Sequence, residues 1–247
     1  LKISYINTIA TFLTRRCFEQ ALIDVGMHSL PVRLIGSGGG VVYAPLGCTH
    51  LANEDMALMR LIPNMAVVAP CDAEEMKRLM PATLQWPGPM YIRLAKGGDK
   101  VVSAPSMPFE IGKAIPLRSG REVLLLSTGV ATQIALEAAD CLSREDGVEA
   151  AVLHVHTVKP LDAAAIVEQA SGARVVVTVE EHTLPGGFGS AVAEVLMERR
   201  NRRHVRFARV GFPDVFTGDY GSQSDILKKY GVCPAGVAGK VRELLGD

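Results

Sequence analysis

Short runs of Val, Ile and Leu recur along the chain at 32–35, 66–68, 90–94, 123–126, 150–155, 175–179 and 205–210. Each run is continuous rather than alternating with polar residues, the pattern of strands covered on both faces. Between them lie segments with apolar residues at helical spacing. In residues 8–28, Phe12, Ala21, Leu22 and Val25 are apolar while Arg15, Arg16, Glu19 and Asp24 are polar. In residues 72–86, Asp72 suits an N-cap and Glu75 follows three residues on, as in a capping box. Helices are also predicted at 132–144, 162–170 and 190–200, and a further one carries Asn53, Glu54 and Asp55 in its first turn. Alternation of strand and helix predicts mainly parallel sheets joined by right-handed crossovers. Residues 96–112 are polar, rich in Gly and Pro, and lack periodicity, so they read as a linker. The chain is therefore read as two three-layer α/β domains, 1–107 and 108–247.

Composition narrows this picture. The 247 residues are enough for two domains that need no disulfide or metal staple. Hydrophobic residues make up 48% but aromatic ones only 5%, so the core must be aliphatic. Lys plus Arg and Asp plus Glu both number 26, so no net field gathers nucleic acid or anionic lipid. No apolar run approaches the ~20 residues of a membrane span, and no leader pattern opens the chain. A cytoplasmic protein with neither nucleic-acid nor membrane partners is expected. The five cysteines are scattered without a C-x-x-C and read as reduced thiols, not as a disulfide framework or zinc site.

Several residues invite chemistry. The glycines of 36–40 follow a strand but precede Val41-Val42-Tyr43-Ala44-Pro45, which starts no helix, so a phosphate cradle is disfavoured. Gly186-Gly187-Phe188-Gly189 precedes a helix and reads as close strand–helix packing. His154 and His156 lie two apart on one strand face. Zinc would need a third ligand, none is adjacent, and they read as structural. His182 is either a general acid or base or a solvated loop residue. The arginines at 199, 200, 202 and 203, with His204, read as a solvated face. His50 lies before a helix start, beside a strand-end glycine loop, and is well placed for a ligand. Arg93 interrupts a strand near its carboxyl end. Its charge needs either an anionic ligand or a structural carboxylate.

An ordered set of motifs then appears: Thr11-Phe12-Leu13-Thr14-Arg15-Arg16, Gly47-Cys48-Thr49-His50, Glu54-Asp55-Met56-Ala57-Leu58-Met59-Arg60, Ile62-Pro63-Asn64-Met65 and Pro70-Cys71-Asp72. These resemble the pyrimidine-binding domain of transketolase-like, thiamine-diphosphate-dependent enzymes. Val158-Lys159-Pro160-Leu161-Asp162, Val179-Glu180-Glu181-His182 and Gly186-Gly187-Phe188-Gly189 resemble that family's C-terminal domain. The match runs through nearly the whole chain, and separately encoded C-terminal subunits of bacterial transketolases are the most similar in organisation.

The resemblance implies a subunit of a two-carbon ketol transferase acting on small sugars. Thiamine diphosphate is the implied cofactor. Its Mg2+ would be held by a separate subunit carrying the diphosphate-binding domain, with this chain self-associating as a dimer within a heterotetramer. The pyrimidine-binding domain is read as incomplete at its N-terminus, with the activating glutamate upstream of Leu1. Residue by residue, Phe12 corresponds to the aromatic residue that stacks on the aminopyrimidine. Ile9 supplies apolar contact, Arg15 lies near the pyrimidine edge, His50 faces the donor sugar as the catalytic histidine, and Arg93 binds substrate phosphate. No metal ligand is assigned to this chain. Three departures stand out: Cys48 replaces a proline, Leu46 an aspartate and Gly38 a second substrate histidine. Losing the two polar contacts, at Leu46 and Gly38, points to an altered or less hydroxylated acceptor. Rival readings are a deoxyxylulose-phosphate-synthase-like condensation, a 2-oxoacid dehydrogenase β subunit and a non-catalytic assembly or regulatory subunit.

Overall fold

The structure, a computed structural model, describes residues 2–198, 205–218 and 220–246. The arginine run at 199–203 and His204 lie outside the described residues. The first half contains β1 (Ser4–Ile9), α1 (Ala10–Thr14), α2 (Phe18–Gln20, continued by a π-helical turn over Ala21–Gly26), β2 (Val32–Ser37), α3 (Asp55–Leu61), β3 (Ala66–Val68), α4 (Ala73–Gln85) and β4 (Met90–Leu94). The second contains β5 (Ile115–Arg118), β6 (Val123–Ser127), α5 (Ala131–Asp146), β7 (Ala150–His154), β8 (Thr157–Lys159), α6 (Ala163–Ser171), β9 (Val175–Thr183), α7 (Phe188–Glu198), β10 (Arg206–Phe212), α8 (Gln223–Lys229) and α9 (Pro234–Gly246).

Two five-stranded sheets result, in the orders β1-β2-β4-β3-β8 and β10-β9-β6-β7-β5. All pairings are parallel except β3 with β8 and β5 with β7. The Val-, Ile- and Leu-rich runs occupy interior strands except the last, which forms the edge strand β10, and β6 and β7 are buried throughout. One aliphatic cluster runs from Leu34, Met56 and Met59 to Leu126, Leu153 and Val176, so the two sheets share a core.

Three strands fall outside the predicted runs. β1 is an edge strand, exposed from Ser4 to Thr8, and its polar residues hide it. The helix predicted over 8–28 is therefore shorter and broken: β1 takes its start, and a turn at 15–17 separates α1 from α2. β5 and β8 are the short antiparallel edges. β8 comes from the second half of the sequence yet completes the first sheet, where Thr157 pairs with Val68 and Lys159 with Val67. Lys159 adds hydrogen bonds to the Arg60 and Ile62 carbonyls at 2.8 and 2.6 Å.

Asp72 caps α4 by accepting from the Glu75 amide at 2.8 Å. The Glu75 carboxylate reaches the Cys71 amide instead of completing the box. The stretch read as a linker is irregular but anchored. Val102 and Ser103 donate backbone amides to Asp72, and Gly112 donates to Thr157 Oγ1. Among the described residues, no helix is long and apolar enough to cross a membrane.

Candidate functional site

In an open parallel sheet, ligands collect at the carboxyl ends of the strands. Here β1 runs directly into α1, which carries Phe12, and the loop over 47–54 crosses the same end. Phe12 and His50 meet there edge to face, with ring centroids 5.2 Å apart and planes inclined at 65°. Both are half-buried. Arg16 lies over the Phe12 ring, its guanidinium carbon 4.2 Å from the centroid. Thr49 Oγ1 is 3.0 Å from His50 Nδ1, leaving Nε2 as the atom to face a ligand. Ile9, also half-buried, is the residue from which α1 starts and pairs with Ser37 of β2.

Arg15 holds this arrangement together. Its guanidinium pairs with the Glu54 carboxylate, donates to the Leu51 carbonyl and lies 3.5 Å from the Cys48 carbonyl. Three residues of one loop segment are thereby tied to α1. A groove of about 650 Å³ opens beside the clamp, lined by Arg15, Cys48, Asn53, Glu54, Thr183 and Phe216. Phe216 is 94% exposed, so the groove's rim is apolar.

Arg93, expected to meet a substrate phosphate, sits elsewhere, in a buried ion pair. The residue is 5% exposed. Its Nε donates to both Asp55 oxygens at 3.1 and 2.9 Å, and its Nη2 donates to the Glu181 carbonyl at 2.8 Å. Tyr91 donates its hydroxyl to the same Asp55 carboxylate at 2.7 Å. Burial works against the Arg93 charge, but Asp55 and Glu181 outweigh it and hold the guanidinium protonated. The structural carboxylate, one of the two solutions open from sequence, is the one present. The exposed cation at that end of β4 is Lys96, 5.9 Å above the Tyr43 ring. Sequence reasoning passed over Lys96 because it opens the glycine-rich stretch. The signal was available in the requirement for a cation beyond the strand's buried part.

The glycine loop is a packing plate. Gly39 and Gly40 donate their amides to the Leu94 and Ala52 carbonyls, so neither is offered to a phosphate. A Cβ on Gly40 would lie 2.4 Å from Glu181 Oε1, whose carboxylate accepts the Val41 amide at 2.8 Å. Gly38, where the family resemblance places a histidine, has φ +74°, and a Cβ there would lie 2.0 Å from the Tyr43 ring. Tyr43 fills the space a second histidine would need.

His182 is neither solvated nor in reach of a ligand. It is fully buried, donates Nδ1–H to its neighbour's carbonyl at 2.7 Å, and its Nε2 accepts from the Ala57 amide at 3.3 Å. Burial pushes its pKa down to about 4, which keeps the ring neutral at the start of α3. Glu180 accepts the Phe188 and Gly189 amides at 2.7 and 2.8 Å. The group at the start of α7 is thus the protein's own carboxyl, and burial pushes its pKa up to about 8 despite those two donors. Asp55, Glu181 and His182 together brace α3 against β4 and β9. A single-sequence reading places Asp55 on a helix start and has no means of pairing it with Arg93.

Comparison with known proteins points to one family. Residues 2–98 match the profile of the transketolase pyrimidine-binding domain, and residues 112–237 that of the transketolase C-terminal domain. A transketolase-family protein of Sinorhizobium fredii is 38% identical over 245 residues, spanning 98% of this chain and 70% of that protein. A 6-deoxy-6-sulfo-D-fructose transketolase subunit of a Clostridium species is 37% identical over 94% of this chain and 70% of its own length. Among solved structures, a split-gene transketolase described as an inactive β4 tetramer superposes with a TM-score of 0.86 at 35% identity, covering 98% of this chain and 75% of that one.

Proposed function

The chain belongs to the transketolase family, and from that premise we propose that it is the C-terminal subunit of a thiamine-diphosphate-dependent enzyme transferring a two-carbon ketol unit between sugars. A separate subunit carries the diphosphate- and Mg2+-binding domain. The domains divide at 107/108, with β8 lent across the joint. The observation that carries the reading is the Phe12–His50 pair, fixed by the Arg15–Glu54 clamp at the carboxyl end of the first sheet.

The residues present fit one end of the cofactor. An aromatic ring, an aliphatic neighbour and a histidine suit a flat heteroaromatic group. Phe12 would stack on the aminopyrimidine and Ile9 would supply apolar contact, with Arg15 near the ring edge. Offset stacking is worth about 0.5–1.5 kcal/mol beyond burial. Thiamine diphosphate supplies the electron sink that makes carbon–carbon bond cleavage possible. This chain contributes position and protons. His50 Nε2 polarises or protonates a sugar oxygen. Lys96 attracts an anionic sugar terminus, whether a phosphate or the sulfonate in the Clostridium relative's name. Arg93 serves only by fixing α3. The inactive β4 state named for the solved relative supports activity only with a partner.

The test is reconstitution with a diphosphate-domain subunit, thiamine diphosphate and Mg2+, assayed with ketose donors and aldehyde acceptors. His50→Ala should lower transfer by about 10²-fold or more. Rates within about twofold of the parent would remove His50 from the reaction. Absence of any ketol transfer by a correctly assembled complex would overturn the reading as a whole.

A further inference from the structure

The two halves of the chain meet at a buried polar cluster that the proposed transfer chemistry does not use. Cys71 follows β3, Glu75 stands in the first turn of α4, and His154 ends β7. All three are fully buried. From these positions we propose a binding site for a single zinc-like divalent ion, held by Cys71 Sγ, the Glu75 carboxylate and His154 Nε2, joining the first half of the chain to the second.

The geometry is close to that of a ligand set. The three ligand atoms lie within 4.8 Å of one another. In tetrahedral zinc sites, bond lengths near 2.0–2.3 Å place ligand atoms about 3.5 Å apart, so closure around an ion needs shifts of about 1 Å. His154 is already oriented. Its Nδ1 lies 2.8 Å from Thr132 Oγ1, which accepts in turn from Ser127, and its Nε2 lies 2.8 Å from Glu75 Oε2. A ring held at one nitrogen by an outer oxygen, with the other aimed at the site, is how metal-binding histidines are positioned.

One further ligand atom points to an absent partner. Glu75 Oε1 is buried without a hydrogen-bond partner, as are the three guanidinium nitrogens of Arg78 one helical turn on. Most buried polar atoms in folded proteins have a partner, so an orphan carboxylate oxygen inside a set of three ligand residues calls for an explanation. The Glu75 oxygen would be met by the ion directly. His156 lies outside the ligand set, with its ring centroid 5.8 Å from that of His154 and 4.3 Å from that of Phe109.

Charge and softness select the ion. A thiolate, a carboxylate and a neutral imidazole carry two negative charges and neutralise a divalent cation. Thiolate and imidazole favour zinc or cobalt over magnesium or calcium. Asp72 is engaged by the Glu75, Val102 and Ser103 amides and takes no part. Arg78 adds a nearby positive charge felt at His156, which the two anionic ligands must outweigh. Burial, together with Glu75 and Asp72, pushes the Cys71 thiol up, so the resting site holds S–H. On binding, the sulfur–metal bond forms as that proton leaves to solvent, with no change in oxidation state. Sequence reasoning found only the histidine pair and lacked a third ligand. The fold supplies two from more than seventy residues away.

The test uses the chain stripped with chelator under reducing conditions and titrated with Co2+. A background of Cys17→Ser and Cys48→Ser removes the two exposed thiols. One Co2+ per chain should bind with a near-ultraviolet thiolate-to-cobalt band, Zn2+ should abolish the band, and Zn2+ should raise the thermal midpoint. In the same background, Cys71→Ser should weaken binding at least tenfold and lose the band. If that variant does not fold, Glu75→Gln should weaken binding at least tenfold with the band retained. No thiolate band in the parent chain overturns the proposal, as does a band that survives in folded Cys71→Ser or an unchanged affinity in Glu75→Gln. Because the readout is metal binding by this chain alone, its outcome is independent of ketol transfer.

Discussion

Replacing Arg93 by Met tests whether this arginine braces the fold or meets the substrate. The substitution keeps volume and removes the charge. It leaves the fully buried Asp55 carboxylate with only the Tyr91 hydroxyl, and strips the Glu181 carbonyl of its Nη2 donor. Removing one partner of a buried ion pair costs about 3–5 kcal/mol, because the survivor's desolvation is no longer offset. In a chain of this length about 1 kcal/mol moves the midpoint by roughly 2–4 °C, so a fall of roughly 6–20 °C is expected. Asp55→Asn in the same chain removes the stranded charge while its amide oxygen still accepts from Tyr91. The double variant should therefore recover at least about 2 kcal/mol relative to the sum of the two single losses. Urea denaturation of the four proteins closes the cycle, and donor KM in the reconstituted enzyme supplies the second axis. An Arg93→Met protein that loses less than about 1 kcal/mol while its KM rises for anionic donors alone would refute the bracing role. So would a double variant whose loss equals the sum of the two single losses.

Gly40→Ala should destabilise the chain by more than about 1 kcal/mol, since φ is +73° and the new Cβ would meet the Glu181 carboxylate; equal thermal midpoints would contradict this. Acid should weaken the fold through His182. Its folded pKa of about 4 lies below the ordinary 6.5, so the unfolded chain takes up the proton first. Stability from this residue is complete above pH 6.5 and falls as pH drops from there through 4, by roughly 3 kcal/mol in all. His182→Gln should flatten that segment of the stability–pH curve, and NMR should show a neutral ring at pH 5. Phe12→Ala should raise the apparent Kd for thiamine diphosphate in the reconstituted enzyme by roughly two- to tenfold or more. Unchanged cofactor affinity would remove Phe12 from the site.

The interior strands were legible because each is buried on both faces, which leaves an uninterrupted aliphatic run. β1 and β8 were not, because edge strands carry polar residues and three-residue strands carry almost no period. At the site, Phe12 and His50 were identified through ordered motifs, and the fold brings their rings into contact. The ion pair between Arg93 and Asp55 has no signature in one sequence: the residues are far apart along the chain and neither spacing nor composition links them. His182 misled for another reason. Glu180-Glu181-His182 reads as a polar exit from a strand, yet β9 continues through all three beyond the end of β6, with all three side chains buried. Each polar side chain is buried there because a specific partner awaits it.

The strand lent by residues 157–159 also orders events in time. As the chain leaves the ribosome, every other strand of the first sheet is available by residue 94, but the edge of β3 stays bare until β8 has been made. Throughout that interval the nascent first half presents Val67 and Val68 with unpaired backbone groups, the kind of edge that recruits other chains. Cutting the gene at residue 107 would make this transient condition permanent. A division placed after Pro160 would leave the first sheet whole and take β5, β6 and β7 from the second.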